Sequence, residues 1–227
     1  MDNMAEEHAA LVAGASGLIG QELLPLLLAR QEYSKVHALV RRESGKMHVK
    51  LREHVVDFGS LDEAVKGAAI APVSDAYITL GTTMKKAGSK EAFRRVDFDY
   101  IVGVARAARK AGATTIALVS SLGASAGSSV FYNRTKGEAE DAIIAMDFER
   151  VVILRPSLLD GDRQEARPGE RVGLAVAKAL SFLVPQKYQA IHVKKVAEAM
   201  VAAVLDSSGQ RVRVIESDEI QRGVSGR

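Results

Sequence analysis

Tyr132 stands four residues before Lys136 in "SSVFYNRTKGEAE" (Ser128–Glu140). On a helix this spacing puts phenol and ammonium on one face. An ammonium beside a phenol favours the phenolate, which suits a general acid or base working near neutrality. The chain has 5 tyrosines in 227 residues, so chance supplies roughly 0.3 such pairs and the spacing alone decides nothing. Its neighbours do. The apolar run "TTIALVSS" ends in Ser120 and Ser121 just before this helix. A hydroxyl there can hydrogen-bond the oxygen being protonated or deprotonated. Ser121 is the preferred candidate, with Ser120 completing the strand.

The second constellation is "AGASGLIG", with Gly14, Gly17 and Gly20 between a buried-strand pattern, "AALVAGA", and a helical pattern, "GLIGQELLPLLLAR". This GxxGxxG spacing is a variant of the dinucleotide fingerprint. One glycine makes the tight turn, one lets the backbone approach a pyrophosphate, and one permits close helix–strand packing. Ser16, Leu18 and Ile19 complete the loop and first turn, whose N–H groups and positive dipole end attract phosphate. The second strand, "KVHALV", runs into Arg41 and Arg42 where an acid would read the ribose 2′-hydroxyl of NAD. Two guanidinium groups suit a 2′-phosphate, which favours NADP(H) over NAD(H). Asp57, closing "HVVDF", either accepts from an adenine amino group or caps the helix pattern "SLDEAVKG".

These residues need a frame to hold them. Short apolar runs without alternation recur between helical patterns: "KVHALV", "HVVDF", "DAYITLG", "TTIALVSS", "RVVILRP" and "RVRVIES". Such runs are strands buried on both faces of a parallel sheet, and right-handed crossovers then wind it doubly. The expected fold is a single α/β Rossmann domain over residues 1–227, with a small C-terminal appendage on the substrate side. A long helix is expected over "SKEAFRRVDFDYIVGVARAARKAG". His192 precedes an amphipathic helix, and Val196, Met200 and Val204 have core spacing. The segment "SLLDGDRQEARPGE" (Ser157–Glu170) is polar and turn-rich. Its Arg163 and Arg167 either clamp an anionic substrate or lie in a solvated loop.

Composition narrows the classes. The chain is 47% hydrophobic and 26% charged, without cysteine, which removes disulfides, thiolate metal sites and a cysteine nucleophile. Its histidines (His8, His37, His48, His54, His192) are scattered, so no metal is expected. Net charge is +3 and pI about 9.1. The basic residues are interleaved with acids, however, which disfavours a nucleic-acid partner. The acidic "MDNMAEEH" is not a secretory signal, and "LLPLLL" is too short to span a membrane. A cytoplasmic protein is expected.

Together "GASGLIG", "LGTT", "VSSLGA", "YNRTK" and "LRP" resemble the short-chain dehydrogenase/reductase superfamily of the atypical or extended type. Through "AFRRVDFDY" and "LRPSLLDGDRQEARPGE" the chain is similar to the Tat-interacting-protein oxidoreductase subfamily, from about Ala9 to about Val204. The resemblance implies Tyr132 as acid/base and Ser121 as the hydroxyl orienting a small-molecule substrate. It implies Lys136 on the nicotinamide ribose, and further cofactor contacts from Leu80, Gly81 and Thr82. Two departures stand out: the chain ends before a large substrate domain, and Asp97 occupies a position where many relatives have asparagine. Three functions follow: an NADP(H)-dependent oxidoreductase, a non-catalytic NADP(H)-sensing scaffold with a protein partner, and, more weakly, a nucleotide-sugar epimerase. Either a monomer or a homodimer paired through the tyrosine helix fits the pattern.

Overall fold

The computed structural model describes residues 8–61, 70, 72–160, 185–206 and 210–224. Seven strands form one sheet: β1 (Ala9–Ala13), β2 (Lys35–Val40), β3 (Leu51–Val55), β4 (Asp75–Ile78), β5 (Thr115–Val119), β6 (Arg150–Arg155) and β9 (Val212–Glu216). Their spatial order is β3-β2-β1-β4-β5-β6-β9 and every pairing is parallel. The doubly wound Rossmann sheet expected from the strand pattern is therefore present.

Burial on both faces explains the continuous apolar runs. β1 and β5 are buried at every position, because helices cover each side. One side carries α1 (Leu18–Ala29) and α6 (Val193–Leu205), with Leu23, Leu27, Val196 and Met200 in its core. The other carries α4 (Ile101–Lys110) and α5 (Phe131–Ile144), with Ile101, Val104, Ala139 and Ile143 in a second core. Each fully buried Leu or Ile contributes about 2 kcal/mol. The stripe Val196–Met200–Val204 is core, as its spacing indicates. His192 caps α6, its Nδ1 accepting from the Lys194 N–H at 3.2 Å. At the other end Arg150 donates to the Ala203 and Val204 carbonyls at 2.8 and 3.0 Å, a cation on the last helix carbonyls.

Three elements depart from the sequence pattern. β3 covers Leu51–Val55, three residues earlier than "HVVDF" suggests. Val56 and Phe58 bury themselves from the turn after the strand, so their apolar character belongs to the core and not to the sheet ladder. After the short α2 (Met84–Ala87), the single long helix is divided into α3 (Lys90–Arg94), a π-helical stretch over Arg95–Tyr100, and α4. A two-stranded parallel sheet also forms from β7 (Leu159–Asp160) and β8 (Ile191–His192), beside the main one. Most of "SLDEAVKG", and Arg163 and Arg167, lie outside the described residues.

Candidate active site

In a parallel sheet all carboxyl ends share one edge, and the crevice opens where strand order reverses. Here that point is between β1 and β4, neighbours from opposite halves of the winding. Gly14 follows β1, Arg41 follows β2, Leu80–Thr82 follow β4, and Ser120–Ser121 follow β5. The strands deliver all four groups to the same edge.

The glycine loop is built too tightly for side chains. Gly14 sits at φ +97°, and a Cβ there would lie 2.6 Å from Thr79 Oγ1. A Cβ on Gly20 would lie 2.0 Å from the Gly14 carbonyl oxygen, which lets α1 pack against the strand end. The Gly17 N–H closes the turn on Gly14 O at 2.9 Å. Gly17 is also the N-cap of α1 and supplies no side-chain acceptor. The first-turn N–H groups have no intrahelical partner, and Ser16, Gly17 and Leu18 are exposed beside them while Ile19 turns into the core. This cradle fits a pyrophosphate.

Next to it lies a cavity of about 660 Å³ lined by Ser16, Arg41, Arg42, Lys46 and Glu53. Both arginines are exposed. Glu53 is occupied by the Ser44 N–H at 2.8 Å and Ser44 Oγ at 2.5 Å, which ties the arginine loop to β3. Asp57 is exposed and engaged locally. Its Oδ1 accepts from the Gly59 N–H at 2.9 Å and its Oδ2 from Ser60 Oγ at 3.3 Å, a local Asx turn; most of the helix pattern that follows lies outside the described residues.

Tyr132 is in the first turn of α5 and half-buried. Its ring packs against Phe93 of α3, centroids 5.2 Å apart. α5 is pinned from several sides. Ser128 Oγ accepts from the Val130 N–H at 3.1 Å, and Gly137 meets the Ser125–Ala126 backbone so closely that a Cβ would lie 2.2 Å from it. Arg155, at the end of β6, donates to both oxygens of buried Glu140 at 3.1 and 2.5 Å. Glu140 follows Lys136 by four residues, so this pair fixes the helix face that carries the lysine.

Lys136 is buried, and its Nζ lies 2.7 Å from Asp97 Oδ1. The other Asp97 oxygen accepts from the Thr82 N–H at 2.9 Å. Gly81 lies over the pair: a Cβ on it would be 3.4 Å from Asp97 Oδ1 and 3.5 Å from Lys136 Nζ. The Leu80–Thr82 turn and the lysine are thus one assembly. Asp97 was visible in the sequence only as a departure from the family pattern. Ser120 Oγ and Ser121 Oγ are withdrawn from solvent and without a hydrogen-bond partner among the described residues. Unpaired buried hydroxyls are rare, and two adjacent ones at a strand end can turn toward an incoming oxygen. No group of three metal-ligating side chains occurs among the described residues.

Similarity to known proteins agrees with this geometry. A family model described as NAD(P)H-binding matches residues 14–207. Protein FMP52, mitochondrial, of Eremothecium gossypii is 36% identical over 217 residues, covering 93% of this chain and 95% of its own. Protein HTATIP2 of Rattus norvegicus is 32% identical over 225 residues, covering 96% of this chain and 90% of its own. Among solved structures, a short chain dehydrogenase from Burkholderia cenocepacia J2315 in complex with NADP has a TM-score of 0.65 at 21% identity, covering 96% of this chain and 91% of that one. MoeE5 in complex with UDP-glucose and NAD has a TM-score of 0.66 at 20% identity, covering 93% and 79%. The structural likenesses establish the fold. The expected cytoplasmic location is overturned, because the FMP52 relatives from several fungi are named mitochondrial. The chain belongs to the NAD(P)H-binding family, in the atypical short-chain dehydrogenase/reductase-like group with FMP52 and HTATIP2.

Proposed function

We propose that the protein is an NADP(H)-dependent oxidoreductase that interconverts a small carbonyl compound and its alcohol. The observation that carries this reading is Lys136 held at the mouth of the β4 turn, one helical turn beyond Tyr132 and on the edge that carries the glycine cradle. Gly14, Gly17 and Gly20 with the first turn of α1 would hold the pyrophosphate, and Arg41 and Arg42 a 2′-phosphate. The Leu80–Thr82 turn and Lys136 would hold the nicotinamide half. The bound cofactor supplies or takes a hydride at nicotinamide C4.

The chain's own residues manage the substrate oxygen and its proton. In the reducing direction Ser121 Oγ donates a hydrogen bond to the carbonyl oxygen and polarises it. Tyr132 Oη gives that oxygen a proton as the carbon accepts hydride, leaving an alcohol. In the oxidising direction Tyr132 takes the hydroxyl proton. Lys136 offers its ammonium N–H donors to ribose hydroxyls. The test is turnover of NADPH with a panel of aldehydes and ketones. Tyr132→Phe, which keeps the ring on Phe93 and removes the proton, should lower kcat about 100-fold or more while NADPH still binds. Turnover unchanged in Tyr132→Phe would end the mechanism.

A further inference from the structure

We infer that Asp97 is a positioning residue that locks Lys136 and the Gly81–Thr82 turn into one unit for the nicotinamide half of the cofactor. The inference rests on the oxidoreductase reading above and assigns a residue which that reading leaves without a task. Asp97 is fully buried, and its carboxylate has two separate clients. Oδ1 faces the Lys136 ammonium, which comes from α5. Oδ2 accepts from the Thr82 backbone, which comes from the end of β4. No other carboxylate among the described residues bridges these two elements.

The backbone around Asp97 is adapted to this placement. Asp97 lies in the π-helical stretch Arg95–Tyr100, and π turns widen a helix by a residue and recur at functional sites. A carboxylate is also the only side chain of its size that can serve both clients. Asparagine has the same shape but one acceptor and one NH2, so it satisfies either Thr82 or Lys136 and confronts the other with a donor. Losing either the ion pair or the Thr82 hydrogen bond releases the lysine from the turn. The arginine corner, after β2, keeps its own hydrogen bonds. The Gly14 turn is closed by the Gly17 N–H, and Thr79 Oγ1, which also donates to the Gly14 carbonyl, is not a client of Asp97.

That asymmetry sets the experiment. NADPH and adenosine 2′,5′-bisphosphate, which lacks the nicotinamide half, are titrated against wild type, Asp97→Asn and Asp99→Asn. Asp99 is an exposed acid in the same π stretch and serves as the charge control. Asp97→Asn should weaken NADPH about tenfold and leave adenosine 2′,5′-bisphosphate within about twofold, with Asp99→Asn unchanged for both. Equal loss of both ligands would mean a merely structural role, and no loss of either would remove the assignment. If Asp97→Asn does not fold, Asp97→Glu carries the test. It keeps the charge opposite Lys136 but displaces the carboxylate by one methylene, and should show the same selective loss, whereas equal loss of both ligands, or no loss of either, again overturns the assignment. Wild-type protein that binds neither ligand would instead sink the cofactor reading, and the positioning role with it.

Discussion

At the scale of single residues, the site is defined as much by atoms that are missing as by those present. Gly20 illustrates it. A methyl group there would stand 2.0 Å from the Gly14 oxygen and 2.8 Å from Ala15 Cα, and backbone on both sides cannot yield as a flexible side chain would. Gly20→Ala should therefore cost about 3 kcal/mol in urea unfolding and abolish NADPH binding, because α1 must retreat from the loop. Wild-type stability for that variant would show that the loop has slack. The glycine triplet was legible in the sequence because only glycine tolerates such contacts. The Asp97–Lys136 pair was not, since 39 positions separate its members and a carboxylate in a helix normally faces water. The identity of Asp97 was noticed, but its partner needed the fold.

At the scale of elements, parallel strands bring the chemistry together and also create one liability. His37 of β2 and His54 of β3 lie side by side, Nδ1 to Nε2 2.9 Å apart and rings stacked at 5.1 Å. Burial pushes His37 down to about 4, with His54, Lys35 and Arg52 repelling its proton. Burial also lowers His54. The unfolded chain takes up protons near pH 6.5, whereas folded His37 resists until about pH 4. Stability is therefore full above pH 6.5 and falls as pH drops toward 4. The loss should be about 1–2 kcal/mol after allowing for solvent screening. Urea unfolding from pH 7.5 to 4.5 in wild type and His37→Gln would show it, and an identical pH slope in the two would contradict it. Strand register also explains what the sequence pattern could and could not supply. β1, β2, β5 and β6 were readable because both faces are buried. β3 was displaced because its sequel carries Val56 and Phe58, apolar for core packing and not for the sheet ladder. The π stretch has ordinary helical composition, and β7–β8 joins two-residue pieces far apart in the chain, so neither leaves a local trace.

At the scale of the whole molecule, the carboxyl edge of the sheet concentrates the loop, the arginines, the serines and the tyrosine helix, although the net charge is only +3. The arginine corner is a local feature, separate from any general basicity of the surface. On the proposed reading β1, β2 and α1 hold the adenosine and pyrophosphate half of the cofactor, while β4, β5 and α5 supply the nicotinamide contacts and the proton transfer. Variants in one half should leave the other measurable. The central claim is that this edge binds NADP(H), with the 2′-phosphate read by Arg41 and Arg42. Its most direct test is a fluorescence titration of wild type and Arg41→Ala/Arg42→Ala with NADPH and with NADH. The account predicts tighter binding of NADPH than of NADH in wild type, and loss of that preference in the double variant, with about 10-fold or more lost for NADPH and little for NADH. Equal affinity for the two nucleotides in wild type, or no binding of either, would contradict it.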